Sequence, residues 1–263
     1  MALFKSFAKD IMSKDITIHS EADFEGMRKA GKVAAEILVE VEQYIKPGVT
    51  TDYINTICHE MIIGKGAIPA PLNYRGFPKS VCTSVNHVIC HGIPSDKKLI
   101  NGDILNLDVT VIVDGWHGDT SKMFLIGDKI PIKASRLVQV TYDCLMFAIE
   151  KVRPGAKFNE IGKVIEAHAK KHGYSVVRDY CGHGIGKIFH APPNVIHYYD
   201  EDFQLVMEEG MFFTIEPMIN AGKPDTLLMK DGWTVVTRDR SLSAQFEHTI
   251  GVTSNGYEIF TKV

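Results

Sequence analysis

Several things are missing from this chain of 263 residues, and each absence excludes a class of protein. There is no Cys-x-x-Cys pair, and the five cysteines, Cys58, Cys82, Cys90, Cys144 and Cys181, are odd in number and scattered. That is neither a disulfide framework nor a thiolate zinc cluster, and it fits a reducing compartment. No apolar run approaches the roughly 20 residues of a membrane helix. Neither charge dominates: the formal net charge of -3 gives no reason to expect nucleic acid or an anionic membrane as partner. Cys181-Gly182-His183-Gly184-Ile185-Gly186 carries glycines but lacks the Gly-Lys-Ser/Thr ending of a phosphate loop. MALFKSFAKDIMSKD has an apolar patch too short and too interrupted by charge for a secretory signal. Residues 1–15 therefore read as an arm, residues 16–263 as a single domain, and the cytoplasm as the expected location. What is present is 45% hydrophobic residues, enough for a substantial core.

The most informative stretch is Ile104 to Ser121. Leu105, Leu107, Val109, Val111 and Val113 alternate with Asn106, Asp108, Thr110 and Ile112, the period of a strand. Asp114-Gly115 is a strong hairpin signal. A two-residue loop there sets Val113 opposite Trp116 and Thr110 opposite Asp119, which makes Asp108 and Asp119 diagonal neighbours on one face, roughly 7–8 Å apart. Two readings are open at this point: a polar face turned to water, or a ledge on which ions sit between two carboxylates.

Elsewhere the chain repeats itself. Ser20 opens a long amphipathic helix running through Phe24, Met27, Ala30, Ala34, Ile37, Leu38, Val41 and Ile45 to Lys46-Pro47-Gly48, and a shorter helix over Ile54, Ile57, Cys58 and Met61 ends at Gly64. At one constant offset, Arg153-Pro154-Gly155 and the set Ile161, Val164, Ile165 and His168 restate the pattern before Gly173. Val88-Ile89-Cys90-His91 is echoed by Lys187-Ile188-Phe189-His190, and Gly102 to Asp108 by Gly210 to Glu216. Four echoes in one order predict two related halves, about 20–125 and 130–263, each with helices and antiparallel strands, hence an α+β fold.

The repeat gives Asp108 a counterpart in Glu216 and Asp119 one in Glu247. Four acids on otherwise apolar strands are costly unless paired. Basic residues at matching strand positions are few, so a shared metal site satisfies them best. His183 is a fifth candidate ligand, with flanking glycines that let backbone pack closely around its ring. One imidazole among four carboxylates is unlike a closed structural zinc site and suits two divalent ions of the Mn, Fe, Co or Zn type. Such a pair lowers the pKa of a water between them toward about 7, which is hydrolytic machinery.

These five residues, together with MRKAGKVAAEIL, PKSVCTSVNHVICHGIP, GDILNLDVTV, WHGDTSKMFLIG, CGHGIGKIFH, TIEPMI and QFEHTIGV, make the chain resemble the type I methionine aminopeptidases of the pita-bread fold from about Ile16 onward. The interval from His190 to Glu216 leaves no room for the helical insertion of type II enzymes. The resemblance implies that Asp108 chelates one metal, His183 and Glu216 the other, and that Asp119 and Glu247 bridge both. It makes Glu216 the proton shuttle, sets His91 against the scissile amide nitrogen and has His190 donate to the oxyanion. Tyr74, Phe77, Cys82, Phe189 and Trp233, with His91 and His190, are the implied substrate-binding residues, and Asn86, Val88 and Ser243 match a monovalent-cation loop. Pro71, Arg75 and Phe77 depart from many relatives, which carry Cys, His and Tyr there, and Arg75 stands at the pocket rim.

The activity so implied is removal of the initiator methionine from nascent polypeptides, preferentially before a small second residue. Nascent N-termini are the expected partners, with the ribosome left open, no nucleic-acid sequence recognition, no membrane, and a monomer. An X-Pro peptidase of the same fold is the alternative, although such relatives usually carry a further N-terminal domain. A non-catalytic binding protein of this fold is another, although such relatives have lost ligands.

Overall fold

A computed structural model describes residues 15–263. All of the expected arm except Asp15 lies outside the described residues. The first helix, α1 (Glu21–Glu40), is capped by Ser20, whose amide and hydroxyl both donate to Asp23 Oδ2 at 2.9 Å. The sequence pattern had this helix continuing to Ile45, but its end tightens into a 3-10 turn over Val41–Tyr44 ahead of Pro47, as helix ends near proline commonly do. Next comes α2 (Thr51–Gly64), where Thr50 Oγ1 accepts from the Tyr53 amide. Strands β1 (Ile68–Pro69), β2 (Cys82–Val85), β3 (Val88–Cys90), β4 (Ile104–Val113) and β5 (Trp116–Leu125) complete the first half.

Helices α3 (Ile132–Ile149) and α4 (Asn159–Lys171) repeat the helical pair. The second half then runs through β6 (Ser175–Val176), β7 (Gly182–Gly184), β8 (Ala191–Val195), β9 (Phe212–Ile215), β10 (Met218–Asn220), β11 (Thr226–Leu228), β12 (Val235–Thr237), β13 (Ser243–Gln245), β14 (His248–Thr253) and β15 (Gly256–Ile259). In one sheet β4 carries β5 on one side and β1 and β2 on the other; a five-stranded sheet has the order β15-β14-β9-β7-β8. All pairings are antiparallel. Each half has its own apolar core, α1 and α2 over β4 and β5 in one, α3 and α4 over β9 and β14 in the other. Phe24, Met27, Trp116, Ile185, Phe212 and Phe260 form a third cluster where the halves meet. Among the described residues no helix is long and apolar enough to cross a membrane.

The hairpin has the expected two-residue loop. Asp114 (φ 50) and Gly115 (φ 84) are both left-handed, as the turn that matches strand twist requires. Val113 pairs with Trp116, Thr110 with Asp119, and Asp108 with Ser121. The polar face is not turned to water, because Asn106, Thr110, Asp119 and Ser121 are all buried. The second half covers it: Asn106 Nδ2 donates to the Gln245 carbonyl at 2.8 Å, and Ser121 and Glu247 exchange backbone hydrogen bonds.

One expectation needs correction. Asp108 and Asp119 lie within strands, but Glu216 falls in the break between β9 and β10, and Glu247 is an isolated bridge between Gln245 and β14. Pro217 has no amide hydrogen and cannot continue a ladder, so the chain leaves the five-stranded sheet there and enters another.

Close approach of α1 to β5 depends on Gly118, where a Cβ would lie 2.3 Å from the Ala30 carbonyl oxygen. Gly118→Ala is therefore expected to destabilise the fold by about 2–3 kcal/mol or more, since backbone has to move. A denaturant midpoint equal to that of the parent would contradict this packing.

Candidate functional site

Both halves contribute to one acidic cluster. Asp119 is 4% exposed, Glu247 3% and His183 9%, and one ligand atom from each of these three lies within 4.8 Å of the others. His183 Nε2 is 3.6 Å from Asp119 Oδ2 and 3.8 Å from Glu216 Oε1. The hairpin register brings Asp108 alongside Asp119. The five sequence-predicted ligands thus converge from β4, β5, β7 and the two strand breaks.

Neighbouring groups hold these side chains in place. Thr110 Oγ1 donates to Asp119 Oδ1 at 2.7 Å. Thr214 Oγ1 donates to Glu216 Oε1 at 2.9 Å and accepts the His183 amide at 3.0 Å, while Gln245 Nε2 donates to Glu216 Oε2 at 3.1 Å. The Glu216 amide donates to Nε2 of the fully buried His197 at 3.1 Å. His183 Nδ1 donates to the Gly184 carbonyl at 3.1 Å, leaving Nε2 as a lone pair aimed at two carboxylates. The glycines beside His183 serve close packing: a Cβ on Gly184 would lie 1.9 Å from the Pro192 carbonyl oxygen.

The electrostatics are those of a site built for cations. Burial pushes the Asp108 carboxyl up to about 7. It also holds Asp119, Glu216 and Glu247 well above the usual carboxylate range, with the other acids of the cluster adding to the effect. Burial depresses His183 to about 4, so the ring is neutral at pH 7. Among the described residues no Lys or Arg forms an ion pair with any of the four acids, and the buried Asp108 Oδ1 has no hydrogen-bond partner. A lone-pair nitrogen and carboxylate oxygens that lack any cationic partner repel when they face one another unless a cation lies between them. The donor set therefore fits a divalent metal, and its oxygen-rich composition is unlike a closed thiolate site.

Around the acids stands a ring of histidines and aromatics. His190 lies 4.2 Å from His183 between ring centroids, and its Nδ1 is 3.0 Å from the Tyr74 hydroxyl. Phe189 packs on Tyr74 and stacks with His117, whose Nδ1 donates to the Gly186 carbonyl. His91 is left-handed (φ 56), directs its ring toward Tyr180 and Trp233, and is depressed to about 4 by burial. Phe77 meets Trp233 edge-on at 5.2 Å, and Cys82 pairs across the sheet with Asp108. Asn86, Val88 and Ser243 meet at another corner, where the Ser243 amide donates to the Asn86 carbonyl and Val88 pairs with Val236.

Thr214, Gln245, His197 and His117 were not singled out from the sequence. For two of them a signal exists: Thr214 and Gln245 each stand two residues before an acid of the cluster, and period two points both members of such a pair to one face. His197 and His117 carry no comparable mark.

Comparison with known proteins agrees with this geometry. The model of metallopeptidase family M24 matches residues 25–254. The chain is 63% identical over 247 residues to a methionine aminopeptidase of Rickettsia prowazekii (strain Madrid E), covering 94% of this chain and 95% of that one. It is 54% identical over 248 residues to the methionine aminopeptidase of Escherichia coli (strain K12), covering 94% of each. Among solved structures, the Thermotoga maritima methionine aminopeptidase superposes with a TM-score of 0.91 at 36% identity, covering 94% of this chain and all of that one. A prolidase from Pyrococcus furiosus, 21% identical with a TM-score of 0.73, shares the pita-bread fold; 94% of this chain matches 65% of that one. The chain belongs to metallopeptidase family M24, among its methionine aminopeptidases.

Proposed function

We propose that this protein hydrolyses the peptide bond that follows an N-terminal methionine, acting on newly made polypeptides whose second residue is small. The observation that carries the reading is an acidic cluster with a neutral imidazole, ringed by aromatic and histidine side chains, in a chain of this family. Asp108, Asp119, His183, Glu216 and Glu247 would hold two divalent ions, with Asp119 and Glu247 shared between them. Bound there, such ions supply a water of lowered pKa and polarise the scissile carbonyl.

The chain's own groups do the rest. The Glu216 carboxylate, clamped between Thr214 Oγ1 and Gln245 Nε2, accepts a proton from the attacking water and returns it to the leaving amine. His190 donates to the developing oxyanion. A Tyr74 phenol that donates across the 3.0 Å to His190 Nδ1 would keep the ring proton on Nε2, the nitrogen left free for that task. His91 faces the scissile amide nitrogen. Tyr74, Phe77, Cys82, Phe189 and Trp233 form the apolar and aromatic wall that a thioether favours. Asn86, Val88 and Ser243 are the proposed seat of a monovalent cation, the protein is read as a cytoplasmic monomer, and the nascent chain at the ribosome is its natural substrate.

Cleavage of Met-Ala-Ser beside an X-Pro peptide by protein loaded with Co, Mn, Fe or Zn tests the reading. Release of methionine is expected to dominate, and preferential hydrolysis of the X-Pro peptide would overturn it. Tyr74→Phe removes the hydroxyl while keeping the ring. It should lower kcat about 5-fold, the worth of one hydrogen bond, with KM changed less. Unchanged kcat would show that Tyr74 does not set the His190 tautomer.

A further inference from the structure

Arg75 stands at the outer edge of the site without an ion-pair or hydrogen-bond partner among the described residues. Its guanidinium carbon lies 5.3 Å from the centroid of the Tyr74 ring, and Tyr74 is the residue bonded to His190. The loop that presents it is unusual. Asn73 (φ 67), Arg75 (φ 49) and Gly76 (φ 89) are all left-handed, a conformation in which only glycine is free of strain. Backbone hydrogen bonds tie this turn shut, from the Asn73 amide to the Phe77 carbonyl, Tyr74 to Pro71, Gly76 to Asn73 and Phe77 to Tyr74. The direction in which Arg75 leaves the backbone is thus set by the turn.

The path of a substrate gives that direction a meaning. Burial falls steadily from His183, which is buried, through half-buried Tyr74 to the exposed His190 and Arg75. On the peptidase reading, a peptide whose methionine lies against Phe77 and Trp233 would place its scissile bond at the acids and its carbonyl toward His190. Residues beyond the second would then leave by the exposed edge where His190 and the unpaired guanidinium stand.

We infer that Arg75 makes the enzyme select substrates by charge downstream of the cleaved bond, its guanidinium pairing with an Asp or Glu carboxylate at the third or fourth residue of the peptide. The planar fork of Arg suits a carboxylate in two-point contact. This inference rests on the peptidase reading above and adds a specificity to it.

The test uses metal-loaded full-length protein and pentapeptides that begin Met-Ala, with Asp, Ala or Lys at the third or fourth position. The Asp peptides should exceed the Lys peptides by about 2- to 5-fold in kcat/KM at low salt, as suits one exposed ion pair, chiefly through KM. The difference should shrink toward 1 M salt, where screening acts over about 3 Å. Arg75→Asn, which tolerates the left-handed turn, should bring the ratio near one, and Arg75→Glu should invert it. An Asp-to-Lys ratio that is the same in the parent and in Arg75→Asn overturns the inference while methionine release stands. Release of methionine from none of the peptides overturns the peptidase reading itself.

Discussion

Asp119→Asn is expected to abolish turnover while raising the stability of the metal-free protein. Asn has the shape of Asp, so the β4–β5 ladder and the contact with Thr110 keep their packing. What changes is charge. Asp119 is the acid whose ligand atom clusters with those of both His183 and Glu247, and it sits 3.6 Å from His183 Nε2. An amide in that place is a poor ligand and cannot neutralise the cation that Asp119 is proposed to share. Removing a group that only orients a metal ligand costs about 10–100-fold in affinity or activity, so losing a shared carboxylate should cost more than about 100-fold in kcat. After burial, Asp119 is also the strongest influence holding the Glu216 and Glu247 carboxyls up. Its neutralisation relieves repulsion, and the metal-free variant should melt a few degrees above the metal-free parent at pH 8. Turnover by methionine release and bound metal by elemental analysis give the two readouts. Near-normal turnover with a full complement of metal would show that Asp119 is not shared between ions.

Metal-free protein is expected to become less stable as pH rises above about 6.5, and added divalent ion to reverse the trend. Asp108 titrates near 7 in the folded chain, and Asp119, Glu216 and Glu247 are held well above the usual carboxylate range. An unfolded chain has lost these protons by about pH 5. The folded metal-free state therefore binds more protons than the unfolded one, and its stability falls as they are lost, by about 1.4 kcal/mol per pH unit for each proton difference. Below about pH 6.5 the depressed histidines oppose this trend. His91, His183 and His248, all near 4 when folded, bind protons only on unfolding. The diagnostic window thus lies between about 6.5 and 8.5. Within it metal competes with protons for the same oxygens and binds more tightly as pH rises. At a hundredfold excess over Kd a ligand adds about 2.7 kcal/mol, or roughly 5–10 °C in Tm for a chain of this size. Manganese should therefore raise Tm more at pH 8 than at 6.5. A metal-free Tm that stays flat or climbs across the window would mean that the acids are compensated by something other than cations.

Much of this architecture is written in local chemistry. Alternation over Leu105–Val113 and the Asp114-Gly115 turn were enough for the register that pairs Thr110 with Asp119, because side-chain period and turn type are properties of a few adjacent residues. The recurrence of Pro47-Gly48 as Pro154-Gly155, each between two helices, revealed the two halves for the same reason. Unpaired acids at matched places in both halves were legible as a cation site, since a buried charge demands a partner whatever the fold.

Tertiary structure decided what lies far apart in sequence. That the hairpin's polar face is dry follows from the second half docking on it through Asn106, Ser121, Gln245 and Glu247. The pairing of Tyr74 with His190 spans 116 residues, and the support of the Glu216 amide by His197 needs a loop to fold back under β9. Neither leaves a periodicity to read, because both depend on where loops of no regular pattern are carried by the packing of helices on sheets. Sequence alone thus determined which residue types meet and on which strand face the hairpin acids stand. Only the docking of the two halves excludes water from them, and that exclusion makes four carboxylates with one neutral imidazole a demand for metal.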